Sequence, residues 1–136
     1  MSEPEKNNRR QFGRMTFAQA ISYRLPLAAK VSILHRGSGL LLVVLLPFVL
    51  YLLDQSLTSE ISFDYMKGFA SHGFVKLVIL AMAWAYLHHF CAGIRHLFMD
   101  FHVGVTKEAG RKSSAVVLVV SLVLTALVAL KLFGAF

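Results

Sequence analysis

The chain has 136 residues, of which 57% are hydrophobic and 15% charged, against roughly 45–50% and 25% in an ordinary soluble domain. A water-soluble fold of this size cannot hide so much apolar surface, which excludes a soluble enzyme and a disordered chain alike. Fourteen Lys and Arg against seven Asp and Glu give +7, a balance that in so apolar a chain marks the cytoplasmic side of a membrane protein rather than nucleic-acid binding.

Residues 1–14 are polar and read as a segment that is disordered or ordered only by a partner. Residues 15–29 mix Phe17, Ile21, Tyr23 and Leu25 with Arg24, and Pro26 breaks them. They read as an interfacial segment leading into the membrane. Three later stretches lack Asp, Glu, Lys and Arg: 37–53, 77–94 and 113–130. With their flanks each reaches the roughly 20 residues that cross a bilayer core, predicting transmembrane helices near 31–53, 74–98 and 114–133. Pro47 in the first is tolerable in a membrane helix, and no small-residue cleavage pattern marks that span as a signal peptide. The expected organisation is all-α: a cytoplasmic and interfacial segment over 1–30, then a three-helix transmembrane anchor over 31–136.

The first span opens with Ser32, Ile33, Leu34, His35, Arg36, Gly37, Ser38 and Gly39. Ser32, His35, Arg36 and Gly39 share one helical face. A hydroxyl, an imidazole and a permanent cation thus meet at the membrane edge, the donors that would hold a head group gaining negative charge on reduction, as a quinone does. Ser32 can bond a carbonyl oxygen, and Arg36 can stabilise a semiquinone or quinol anion. The plainer alternative is a snorkelling Arg with a Ser helix cap. Gly37, Ser38 and Gly39 read as a close helix-packing patch rather than a phosphate loop, since no strand precedes them.

The second span carries His88, His89, Gly93, Arg95, His96 and Asp100. At about 100° per residue, His89, Gly93, His96 and Asp100 fall within a strip roughly 60° wide, with His88 pointing about 100° away. Ionisable groups inside a span are costly and face protein, cofactor or water. A neutral imidazole there suits haem iron as an axial ligand. Gly93 removes a side chain that would obstruct a flat macrocycle or a neighbouring helix. His96 and Arg95 lie near the interface, where propionates need cationic or donor partners. The alternative is that His89 hydrogen-bonds a neighbouring helix and Gly93 is a packing contact. His89 lies six residues, about 9 Å, deeper than Arg95. His35 adjoins Arg36 at the edge and so is not expected to reach the same iron. A bis-His haem would then borrow its second ligand from another subunit, with His88 the in-chain competitor for the first. From Val116 on, the uncharged stretch of the third span offers only Ser121 and Thr125 as polar groups, on one face and suited to packing. A single cysteine, Cys91, excludes a disulfide framework.

Lys6, Arg9, Arg10, Arg14, Arg24, Lys30 and Arg36 lie in the N-terminal segment ahead of the first uncharged stretch, and Arg95, Lys107, Arg111 and Lys112 lie between the second and the third. Lys67, Lys76 and Lys131 lie on the opposite side. The positive-inside rule therefore predicts a cytoplasmic N-terminus, a periplasmic C-terminus and an outward-facing connection over 54–73.

Two motifs carry a resemblance. Arg24, Pro26, Val31, Ser32, His35, Arg36, Ser38 and Gly39, with His89, Gly93, Ile94, Arg95, His96, Asp100 and Phe101, resemble the cytochrome b membrane-anchor subunit of succinate dehydrogenase. The likeness runs from about Tyr23 to the C-terminus and includes a Glu108, Ala109, Gly110, Arg111 turn before the third helix. It implies a four-subunit succinate:quinone oxidoreductase of the bacterial inner membrane. In such a complex a flavoprotein subunit oxidises succinate and an iron–sulfur subunit passes electrons to ubiquinone. This chain and a second small hydrophobic anchor subunit would share one haem b in the lipid bilayer. Carried over by position, His89 would be the axial ligand, Ser32 and Arg36 would contact quinone, and His35, Arg36 and His96 would lie about the haem propionates. The chain would not be an enzyme on its own. Lys30 stands where the family commonly has an apolar residue, His88 adds a second histidine, and nothing upstream of Tyr23 matches. A haem-free membrane scaffold and the anchor of a quinol:fumarate reductase are the competing expectations.

Overall fold

The computed structural model describes Gly13 and residues 16–134. The expectation for 1–14, with the cations Lys6, Arg9, Arg10 and Arg14, therefore falls outside the described residues except at Gly13. Thr16 begins the first helix, α1 (Phe17–Ser22), by accepting the Gln19 N–H while the Gln19 side chain accepts the Thr16 N–H. The helix ends as the chain turns extended at Tyr23. Pro26 starts the next one: its carbonyl accepts the Ala29 and Lys30 N–H groups, and its ring cannot extend a helix backwards.

From there α2 (Leu27–Thr58) runs 32 residues without interruption, through Pro47. At 1.5 Å per residue it is about 48 Å long, longer than a bilayer core and longer at both ends than the predicted 31–53. The connection over 54–73 is itself largely helical. Ser59 and Ser62 form reciprocal cap bonds that open α3 (Glu60–Ala70), and the Ser62 hydroxyl donates to the Gln55 carbonyl at 2.6 Å, folding α3 back on α2. Then come α4 (Gly73–Asp100) and α5 (Lys107–Leu132). The expected turn at Glu108–Arg111 is instead the first turn of α5. Thr106 caps that helix by accepting the Ala109 N–H, Glu108 complements its N-terminal dipole, and Lys112 pairs with Glu108 at 2.8 Å.

All three predicted spans are present as α2, α4 and α5, each long and apolar enough to cross a membrane. They pack up, down and up: the start of α2 meets the end of α4, and the end of α4 meets the start of α5. Each helix gives one residue to the apolar centre, Val31, Ala92 and Val117, with Cys91 and Leu118 against it. The remaining interior is small or polar: Ser38, Ala85, His88, Arg95, Ser114 and Ser121. The large apolar side chains, Leu40, Val43, Phe48 and Leu122 among them, face outward. Hydrocarbon solvates Leu as well as a core does, so helices here associate through close approach of small residues and through polar contacts.

Candidate functional site

The antiparallel α2/α4 pair brings His35 and His89 to the same level. Their rings stack with centroids 4.3 Å apart and planes 13° from parallel, and His96 tilts against His35 at 4.9 Å. The expectation that His35 sits at a shallower depth than His89 is therefore corrected. Arg36 is not at the start of its helix but well inside α2, which begins at Leu27, so it does not mark the helix end. As they stand in the structure, the two rings are not arranged to bracket one iron. Two axial imidazoles, each bound at about 2 Å, would hold their centroids roughly 6 Å apart on opposite sides of the metal. Stacked faces at 4.3 Å leave no room for that.

His89 is held by its Nδ1. That nitrogen lies 3.0 Å from the His35 carbonyl oxygen, 3.3 Å from the Ser38 hydroxyl, and the Ser38 hydroxyl itself donates to the same carbonyl at 2.9 Å. A carbonyl only accepts, so Nδ1 carries the proton and Nε2 of the neutral ring keeps its lone pair. Metal-bound imidazoles are oriented by this kind of bond to a backbone carbonyl. Among the described residues nothing hydrogen-bonds His89 Nε2, and the ring is half-buried on the flank of the bundle. Gly39 makes the seat: a Cβ there would stand 2.8 Å from His89 Cε1. The donor set therefore fits an axial ligand, with this chain offering one nitrogen.

His88, one residue earlier, is fully enclosed, stacked on Trp84 at 5.5 Å between ring centroids. Neither of its nitrogens makes a hydrogen bond of ordinary geometry. It faces the interior of its own bundle, and no second chain or flat cofactor can reach it without opening the helices.

The remaining candidates divide. On the strip, Gly93 faces His35, where a Cβ would lie 3.6 Å from Nε2, an ordinary contact. His96 is half-buried and its Nε2 is buried with no partner, a donor or acceptor awaiting a group, whereas Asp100 is exposed. Ser32 is half-buried and Arg36 exposed on α2, with no ion pair to Arg36 among the described residues. The alternative of Ser32 as a helix cap is overturned, because the N-cap of α2 is Pro26. Gly37 has nothing within 4 Å of a built Cβ, so of the glycine pair only Gly39 is a packing contact. Arg95 turns away from His96, donating from Nε to Ser113 on α5 at 2.9 Å, and is not part of the histidine cluster. Ser38, expected only in a packing patch, instead meets His89 Nδ1. Its place three residues after His35, between two glycines, was the available signal.

Residues 7–128 match the family described as succinate dehydrogenase/fumarate reductase transmembrane subunit. The chain is 38% identical over 102 residues to the succinate dehydrogenase cytochrome b556 subunit of Coxiella burnetii, covering 74% of this chain and 82% of that one. It is 33% identical over 111 residues to the Paracoccus denitrificans protein of the same name, covering 82% and 85%. The corresponding Rickettsia felis protein is 32% identical over 105 residues, covering 77% and 82%.

Proposed function

The chain belongs to the succinate dehydrogenase/fumarate reductase transmembrane subunit family, and from that premise we propose that it carries one axial ligand of a haem b and part of a quinone site in a succinate:quinone oxidoreductase. The relatives' names support the haem and the complex. A subunit of this kind is a membrane anchor and not an enzyme alone, the succinate chemistry residing in flavoprotein and iron–sulfur partners. The observation that carries the haem assignment is the Nδ1 proton of His89 committed to the His35 carbonyl, which leaves Nε2 as a ligand. The second axial ligand comes from a sister anchor subunit, since His35 stacks on His89 and His88 is enclosed.

When bound, the haem supplies a one-electron store. The work of this chain is to hold and orient. His35 presents its carbonyl to His89 and its ring to the cluster. His96, half-buried against His35, and the exposed Arg36 guanidinium stand as donors for carboxylates at the macrocycle's edge. Ser32, one turn from Arg36, offers a hydroxyl to a quinone carbonyl, and Arg36 lowers the energy of negative charge developing on that oxygen. The positive-inside rule, applied to the basic residues at the start of α2 and about the α4–α5 connection, supports a cytoplasmic position for that end of the bundle, with α3 on the outer side of a bacterial inner membrane.

The test is a dithionite-reduced spectrum of the complex purified in mild detergent, from wild type, His89→Ala and His88→Ala. We expect a b-type α-band that His89→Ala abolishes or strongly shifts and that His88→Ala leaves in place, with lowered thermal stability from the cavity. The reverse pattern would move the ligand to His88, and no α-band in wild type would leave a haem-free scaffold. The family description spans both reaction directions. The relatives' names favour succinate oxidation, and comparing succinate oxidation with fumarate reduction in membranes decides between them.

A further inference from the structure

Arg95 is only 7% exposed, yet its permanent charge has no carboxylate partner among the described residues. Its Nε is used by Ser113. The nearby Glu108 is taken by Lys112 at 2.8 Å, and Asp100 is exposed and makes no ion pair. An enclosed cation left uncompensated is strongly unfavourable, so the guanidinium calls for an anion from outside the chain. The structure offers the place. Arg95 lines a cleft of about 460 Å³ whose walls include Leu27, Met99 and Val105 and whose lining also holds the cations Lys107 and Arg111. Gly110 keeps the wall thin there: a Cβ on it would lie 3.9 Å from the guanidinium. Leu27 is the first residue of α2, Met99 is in the last turn of α4 and Lys107 is the first residue of α5. The cleft therefore lies at the end of the bundle where α2 begins, α4 ends and α5 begins, and helices of this length put that end near the lipid head groups.

We propose that this cleft binds one anionic phospholipid, with its phosphodiester on the Arg95 guanidinium, Lys107 and Arg111 flanking it, and the glycerol and first methylenes against Leu27, Met99 and Val105. Two features choose a lipid over free phosphate: the walls are mainly apolar, and the opening is at the membrane edge. The excess of cations chooses an anionic head group over a zwitterionic one. The site is separate from the histidine cluster and does not depend on the haem assignment.

The test uses the complex purified in mild detergent, with native mass spectrometry counting the lipids retained after exchange into phosphatidylglycerol or phosphatidylcholine. The variants are Arg95→Gln, Arg95→Lys and the exposed pair Lys107→Gln/Arg111→Gln, which leaves the buried contacts untouched. We expect wild type to keep one phosphatidylglycerol that phosphatidylcholine does not replace and excess inorganic phosphate does not remove. Removing both flanking charges should weaken retention roughly 30-fold, at about 1 kcal/mol per charge. Arg95→Gln should lose the lipid and Arg95→Lys keep part of it. Displacement by inorganic phosphate, equal retention of phosphatidylcholine, or undiminished retention in the flanking pair would each overturn the proposal. So would a wild-type complex that keeps no lipid, as when a partner subunit's carboxylate fills the cleft.

Discussion

A neutral imidazole has one nitrogen with a proton and one with a lone pair, and a metal can use only the second. In His89 the choice is made by the His35 carbonyl, 3.0 Å from Nδ1, with Ser38 beside it. The ring cannot give way easily, because two contacts fix one edge and Gly39 backs the other. This sets up a paired prediction. Alanine for glycine inside a helix ordinarily stabilises it by about 0.5–1 kcal/mol, and Gly37→Ala, with open space around its Cβ, should do so with the reduced spectrum unchanged. Gly39→Ala, whose Cβ would stand 2.8 Å from His89 Cε1, should lose that gain and displace the ring. The expected readout is a shifted or weakened α-band together with a lower melting temperature of the complex. Identical behaviour of the two variants would count against the seat at Gly39.

At the scale of elements, the end of α4 is a joint with a definite chemistry. The His102 N–H donates to the Met99 carbonyl at 2.9 Å and the Val103 N–H to the Phe98 carbonyl at 3.0 Å, the two bonds of a Schellman motif. His102 therefore takes the left-handed position, at φ 60, where glycine is the usual occupant and a side chain costs about 1–2 kcal/mol. His102→Gly should raise the stability of the assembled complex by about 1 kcal/mol, seen as a higher thermal midpoint, with quinone reduction unaffected because the residue lies outside the histidine cluster. A fall in the midpoint would show that the His102 ring makes a contact with a partner that outweighs the backbone strain. The same joint fixes where α5 begins. Thr106 is a ready N-cap, and once it caps the chain, Lys107 to Lys112 become helix rather than the anticipated turn.

For the whole molecule, the distribution of polarity inverts that of a soluble bundle. Serines, a histidine and an arginine are enclosed, and leucines, valines and phenylalanines are displayed. An apolar exterior of this extent needs lipid or protein partners as its surroundings. Function then belongs to the assembly, which gives a prediction readable only there. Arg36 is exposed on α2 and makes no ion pair among the described residues, so Arg36→Leu removes little from the bundle itself. It should depress succinate:quinone reduction by roughly 10²-fold, the scale of losing one charge-stabilising donor, while succinate oxidation by an artificial dye survives. Equal loss of both activities would mean that Arg36 holds the subunits together instead.

The three spans, the break at Pro26 and the strip that holds His89 and His96 were all legible in the sequence, because hydrophobic length and helical spacing are properties of a chain taken by itself. The sequence could also nominate His89 over His88 from angle alone. What it could not supply was the relative height of α2 and α4. Helix register depends on how two surfaces of small residues slide against one another, and no residue encodes that singly. Only the packed bundle put His35 level with His89, enclosed His88, set Ser38 against His89 Nδ1 and turned Arg95 from the histidines toward Ser113. The reason is physical: periodicity determines which face a side chain occupies, but which nitrogen is bonded and which charge goes unpaired is decided by distances of about an ångström across helices that meet only on folding.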